Sequence, residues 1–199
     1  MENNRIETED VIAFFDRAAA KWDAELVRND EIIGIILENA GVTAGKDILD
    51  VATGTGVLIP DYLKCGVASV TAIDISLKMA EIARRKFQQP EVAVLCGDVE
   101  QTDFDKLFDC IVVYNAFPHF PEPGRLVTCL AALLKPGGTL TVAHGMSRER
   151  IDALHHRSAH TVSNGLMDAE DLAAIFQKHL TVTAVISDER MYQVVGRKE

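Results

Sequence analysis

The chain has little positive charge. Its 199 residues hold 20 Lys and Arg against 30 Asp and Glu, a formal net charge of −10. That balance argues against nucleic acid and anionic membrane surfaces as partners, because both are held by basic patches. No apolar run approaches membrane-spanning length, and the N-terminal MENNRIETED is polar and acidic, unlike a secretory leader. Cysteine is scarce. Cys65, Cys96, Cys110 and Cys129 form no Cys-x-x-Cys pair, so neither a disulfide framework nor a thiolate zinc site is expected. Cys96 and Cys110 fall in apolar runs and read as buried thiols. A reducing, cytoplasmic setting is expected. There is no internal repeat and no low-complexity stretch. Apolar residues make up 48% and charged residues 25%, the composition of one globular domain over residues 1–199.

The most informative segment is Ile48-Leu49-Asp50-Val51-Ala52-Thr53-Gly54-Thr55-Gly56. A short apolar run ends in an acid and then a Gly-x-Gly turn. The run reads as a buried parallel strand. The glycines let the backbone turn sharply and approach a ligand with no Cβ in the way. Residues 57–64 read as a helix, with Pro60 tolerated in its first turn. The third glycine of a dinucleotide fingerprint is missing, since Ile59 stands in its place. A second strand, Ser69 to Asp74, also ends in an acid, 18 residues beyond Gly56. That is near the spacing of a carboxylate that binds a ribose.

From Lys46 onward the sequence alternates strand and helix. Strands are expected at 47–52, 69–74, 92–96, 109–114 and 139–144, with helices at 57–64, 76–87, 125–134, 147–158 and 168–178. Two late strands, 181–187 and 191–197, are joined by a short charged turn and should pair antiparallel. Ahead of these lie two helices, the first capped at Thr8 and carrying Phe14, Phe15 and Trp22. The second is capped at Asn29 or Asp30 and stops near Gly41. The pattern is α/β with a mostly parallel sheet and helices on both faces. Residues 1–40 form a helical segment ahead of a Rossmann-like core at 41–199.

Asp50-x-x-x-Gly54-x-Gly56 resembles motif I of the class I S-adenosylmethionine (SAM) methyltransferases. Further matches follow in order: Cys96-Gly97-Asp98-Val99, then Phe108 to Ala116, then Leu133-Leu134-Lys135-Pro136-Gly137-Gly138. Phe14 to Asp23 is similar to the opening segment of the ubiquinone/menaquinone-biosynthesis-type members, where it covers the cofactor as a lid. The resemblance implies a seven-stranded Rossmann-like sheet with an antiparallel last strand, and an enzyme that transfers a methyl group from SAM, leaving S-adenosyl-L-homocysteine (SAH). It implies cofactor contacts at Asp50, Ala52, Thr53, Gly54, Gly56, Asp74, Ile75, Ser76, Met79, Gly97, Asp98, Val99, Asn115 and Ala116. Within that set, the turn at Thr53 to Gly56 would offer N–H groups to the tail carboxylate, with Asp50 beneath it. Asp74 would take the ribose hydroxyls, Ile75 and Met79 would pack on adenine, and Asp98 with Val99 would read the adenine edge.

The acceptor is the open part. Asn115-Ala116-Phe117-Pro118 stands where nucleic-acid N-methyltransferases carry an Asn/Asp-Pro-Pro-Tyr motif, so a small-molecule acceptor is expected, its atom (O, S, N or C) undetermined. All six histidines fall in the second half. His119 follows strand four and His144 ends strand five, both at carboxyl ends where ligands bind in such sheets, and His155 lies on the next helix. These three are the candidate catalytic residues of an acceptor pocket. His156 and His160 share a helix face as a metal pair would, so metal binding stays open beside plain surface histidines, although no metal is predicted as a cofactor. Two other functions stay open: a non-catalytic SAM- or metal-binding module, and a nucleotide-dependent oxidoreductase.

Overall fold

The computed structural model describes residues 6–158 and 162–199, except for the side chains of 154–158. Seven strands form one sheet: β1 (Asp47–Val51), β2 (Ser69–Asp74), β3 (Val92–Cys96), β4 (Phe108–Tyr114), β5 (Leu134–His144), β6 (Thr181–Ser187) and β7 (Tyr192–Arg197). Their order across the sheet is β3-β2-β1-β4-β5-β7-β6. The first five run parallel, and β7 inserts antiparallel between β5 and β6. The strand order reverses between β1 and β4, and this switch point opens a crevice at the carboxyl ends of those two strands.

Successive strand residues point to opposite faces, and both faces are covered. Leu49, Val51, Ile73 and Val113 face one side, under α5 (Pro123–Ala132) and α7 (Ala169–Phe176) through Leu126, Leu130, Leu172 and Phe176. Ile48, Val70, Ala72 and Val112 face the other, under α2 (Asp30–Asn39) and α3 (Ile59–Lys64) through Ile33, Leu37, Ile59 and Tyr62. The expected α/β sheet with helices on both faces is therefore present. α1 (Thr8–Glu25) lies against α4 (Leu77–Lys86), and α6 (Arg148–Ser158) follows β5.

Several boundaries differ from the sequence reading. Glu7, not Thr8, is the N-cap of α1, without a side-chain cap bond. Asn29 caps α2 by accepting from the Ile32 N–H, and Ser76 caps α4 by accepting from the Met79 N–H. α3 starts only at Ile59, because Gly54 (φ 57°) and Gly56 (φ 85°) hold the preceding residues in a non-helical turn. The Lys-Pro-Gly-Gly stretch belongs to an early start of β5, where the register shifts so that Phe108 pairs Leu134 and Cys110 pairs Thr139. A Cβ on Gly138 would lie 2.9–3.0 Å from three carbonyl oxygens there, so only glycine fits this bulge. Cys110 is buried but Cys96 is exposed, and all four cysteines are free. Cys96 ends the outermost strand, so only part of its surroundings is sheet.

Gly56 and Gly34 make a test pair. A Cβ on Gly56 would sit 2.4 Å from Phe87 at positive φ, whereas one on Gly34, inside α2, meets nothing within 4 Å. Gly56→Ala is expected to lower the unfolding free energy by roughly 1–3 kcal/mol through overpacking. Gly34→Ala is expected to raise it by about 0.5–1 kcal/mol through helix propensity. Urea unfolding midpoints check both.

Candidate active site

Among the described residues, two that are not glycine adopt left-handed backbone conformations, Ala52 (φ 54°) and Asn115 (φ 53°). They occupy equivalent places, one residue past β1 and one past β4, flanking the switch point. Such a conformation costs an L-residue about 1–2 kcal/mol, and strain of this kind gathers at ligand sites. Asn115 is held by two bonds. Its N–H donates to Ala143 O at 2.9 Å, and its Oδ1 accepts from the Gly145 N–H at 3.0 Å. Both residues line a cavity of about 140 Å³ at the carboxyl ends of the parallel strands.

Two acids sit at the floor of the cavity. Asp74, 7% exposed, accepts from the Gly54 N–H at 2.7 Å and the Ser76 N–H at 2.9 Å. The Gly-x-Gly turn and the start of α4 are thus both tied to one carboxylate. Burial pushes its pKa up to about 6 against those two donors, and Asp16 adds repulsion. Asp50, 2% exposed, accepts from the Thr53 hydroxyl at 2.5 Å and the Tyr62 hydroxyl at 3.1 Å. Burial raises its pKa to about 7, and the neighbouring Asp74 pushes in the same direction.

Of the sequence-predicted contacts, Asp50, Ala52, Thr53, Gly54, Asp74, Ile75, Met79, Gly97, Asp98, Val99, Asn115 and Ala116 all line this cavity. Gly56 and Ser76 stand behind it. Gly56 packs under Phe87, and Ser76 caps α4. The turn does not present an open row of donors. The N–H groups of Thr53, Gly54 and Gly56 are bonded to Ile73 O, Asp74 Oδ2 and Thr53 O. Asp98 accepts from the Glu100 N–H at 2.9 Å and from Gln101 Nε2 at 2.7 Å.

The opposite wall comes from α1 and the β4–α5 connection. Phe15 and Trp22 of α1 line the cavity with His119, Phe120 and Pro121. Phe15 meets His119 and Trp22 edge to face, with ring centroids 5.0 and 5.7 Å apart. Phe14 instead packs with Ile6, Val11 and Val162. α1 is pinned to the cofactor-side loops by two carboxylates. Asp16 accepts from the Ser76 hydroxyl at 2.5 Å, and Asp23 accepts from the Thr55 hydroxyl at 2.5 Å and pairs with Lys86 at 2.9 Å. Lys86, in the last turn of α4, is therefore part of this fastening.

The three histidines lie in different settings. His119 ends a 3₁₀ turn, Phe117–His119, and its Nδ1 lies 2.7 Å from Val162 O. His144 is 1% exposed, edge-on to Tyr192 of β7 with centroids 6.0 Å apart, and does not line the cavity. The side chains of His155 and His156, and the whole of His160, lie outside the described residues. Among the described residues no group of three or more His, Cys, Asp or Glu is placed to hold a metal.

Sequence reasoning missed Glu100 and Arg125, which pair across the cavity rim at 3.0 and 2.7 Å. They are 25 residues apart on different elements, and nothing in their spacing signals the contact. With them, the lining holds, among the described residues, the carboxylates of Asp50, Asp74, Asp98 and Glu100 and a single cationic side chain, Arg125, already engaged by Glu100. A ligand bearing positive charge fits this lining, and a pyrophosphate does not.

Comparison with known proteins agrees with this geometry. Residues 48–138 match the family model described as a methyltransferase domain. A demethylmenaquinone methyltransferase of Renibacterium salmoninarum is 31% identical over 144 residues, covering 68% of this chain and 58% of that protein. A ubiquinone biosynthesis O-methyltransferase of Coxiella burnetii is 30% identical over 148 residues, covering 70% and 63%. The chain thus spans about 60% of the length of these relatives. Among solved structures, the N-methyltransferase NodS of Bradyrhizobium japonicum, in complex with SAH, superposes with a TM-score of 0.72 over 94% of this chain and 97% of its own. Its identity is 17%, so it shows the shared fold. On the ordered motifs, the switch-point cavity and these relatives together, residues 48–138 belong to the methyltransferase-domain family, and the chain has the fold of the SAM-dependent methyltransferases.

Proposed function

We propose that the protein transfers a methyl group from SAM to a small molecule held between α1 and the β4–α5 connection. The observation that carries this reading is the charge of the cavity: among the described residues, four carboxylates, two of them buried at its floor, against one paired guanidinium. When bound, SAM supplies an electrophilic methyl group on a positively charged sulfur. Asp74 would take the ribose hydroxyls, since each carboxylate oxygen has a second lone pair beside the one its backbone donor uses. Ile75, Met79 and Val99 would pack on the adenine, with Asp98 at its edge. Asp50 would face the amino group of the tail. The same lining argues against a nucleotide-dependent oxidoreductase, whose cofactor carries a pyrophosphate.

The acceptor side rests on Phe15, Trp22, His119 and Phe120, an apolar and aromatic surface with one titratable ring. Methyl transfer needs an in-line arrangement of acceptor, methyl and sulfur, so enclosure and orientation supply much of the catalysis. Residues 1–40 act as a lid on the 41–199 core, with Asp16 and Asp23 as its fastenings. His119 is the histidine we assign to proton handling, because it alone of the described candidates His119 and His144 lines the cavity. The two relatives are named for quinone chemistry, which supports a small-molecule acceptor, as the net charge of −10 does by disfavouring nucleic acid. Four free cysteines support a cytoplasmic setting. Among the described residues no helix is long and apolar enough to cross a membrane.

Three outcomes are expected. Asp74→Ala should weaken SAH binding by about 1.5–3 kcal/mol for each charge-assisted bond lost, read by titration calorimetry, and unchanged affinity overturns the reading. Trp22, the only Trp, should change its fluorescence when SAH is added, and an unchanged spectrum under confirmed binding removes the lid. The third outcome follows from proton linkage in the ligand-free chain. A carboxyl whose folded pKa is raised above 3.8 stabilises the fold fully below that pH, and its contribution is lost as pH rises through the folded value. For Asp74 that value is about 6, and for Asp50 about 7. Asp50→Asn stays neutral, so its stability relative to the parent should increase between pH 4 and 8, by on the order of a few kcal/mol. Thermal melts across that range check the sign.

A further inference from the structure

The 3₁₀ turn that carries His119 is held from outside by a short strap, residues 162–166. Asn164 grips the turn twice. Its backbone N–H donates to Pro118 O at 2.9 Å, and its side-chain Nδ2 donates to Phe120 O at 3.1 Å. These two carbonyls flank His119 on either side in the chain. Between them, the ring Nδ1 lies 2.7 Å from Val162 O. The strap is anchored in turn. Val162 is buried with Ile6, Val11, Phe14 and Phe15, and α6 takes hold of Leu166, whose N–H donates to Asp152 and whose carbonyl accepts from Arg148 Nε.

The chemistry of that contact sets the tautomer. A carbonyl oxygen only accepts, so Nδ1 carries the hydrogen and Nε2 is the basic nitrogen of the neutral ring. We propose that Asn164 is a positioning residue: by clamping Pro118 and Phe120 it holds His119 against Val162 O, so that the ring lining the cavity presents Nε2 as the proton acceptor. The inference rests on the functional reading above for its purpose, but not for its geometry. An acceptor that loses a proton during methylation, a hydroxyl, a thiol or a protonated amine, would give that proton to Nε2. The O–H, S–H or N–H bond would break and an N–H bond would form on the imidazole, while the electron pair left on the acceptor atom would bond the methyl carbon as its bond to sulfur breaks, that pair leaving on sulfur as SAH. The ring then becomes an imidazolium and returns the proton to water.

The test reads the tautomer directly. The full chain is labelled with ¹⁵N-histidine, and long-range ¹H–¹⁵N spectra are taken at a pH where the ring is neutral, with His119 assigned by its loss in His119→Gln. The parent is expected to show the hydrogen on Nδ1 and none on Nε2. Asn164→Ala removes the side-chain grip at an exposed position and is expected to give a mixture of tautomers. Asn164→Gln, which keeps the donor, is expected to restore the single form at least in part. An Nε2–H tautomer in the parent, or an unchanged tautomer in Asn164→Ala, overturns the proposal. Should the alanine variant lose the folded amide spectrum, Asn164→Asp, which replaces the donor with an acceptor, carries the same comparison. SAH titration into the same samples separates the two readings. No binding with a fixed Nδ1–H tautomer overturns the proposed function and leaves the clamp, whereas binding with Nε2–H overturns the clamp alone.

Discussion

The structure around the cavity is organised by the burial of one carboxylate. Asp74 accepts from backbone N–H groups on both sides of it, Gly54 in the turn after β1 and Ser76 at the start of α4. Those two bonds join neighbouring strand ends into a single rigid floor. They cost Asp74 much of its hydration, and Asp50 beside it is more deeply buried still. Two acids that resist ionisation side by side are a poor choice for stability alone. A cationic partner would restore their charge, and the strained residues Ala52 and Asn115 lie at the same strand ends.

The opposite end of the sheet shows what the same residue type does in contact with water. Asp47, at the start of β1, receives Lys135, Ser69 and Lys106, and the bond from Lys135 leads in holding its carboxyl well below the usual range. Both ends of β1 carry an aspartate, and their environments drive them apart: lysines and solvent at the amino end, apolar walls and a second acid at the carboxyl end. The asymmetry matches the rule that ligands bind beyond the carboxyl ends of parallel strands.

Much of this was legible in the sequence because it is encoded locally. Strand ends marked by Asp50, Asp74 and Asp98, glycines at positive φ, and caps at Asn29 and Ser76 each act within a few residues, and their positions were read to within one or two. The early start of β5 was not legible, because its bulge is set by packing of Gly138 against carbonyls of β4 rather than by turn chemistry. The cavity rim was not legible either. Glu100 meets Arg125, Asp23 meets Thr55 and Asn164 meets Phe120 only after the sheet has brought distant segments together. His144 shows the limit of arguing from strand ends alone. It does end β5, but the neighbouring β7 places Tyr192 against it and leaves it inside the protein.

The antiparallel insertion of β7 has a consequence for how the chain reaches this state. The strand that lies inside the sheet, between β5 and β6, is the last of the seven in chain order. Until it arrives, β5 ends the parallel part with an open edge, and β6 has no neighbour to pair with. The seal over His144 and the support under α7 therefore form late, after the cofactor-side half has all its strands. β7 thus closes the sheet: through its two ladders the parallel part is joined to β6, and His144 is covered in the same step.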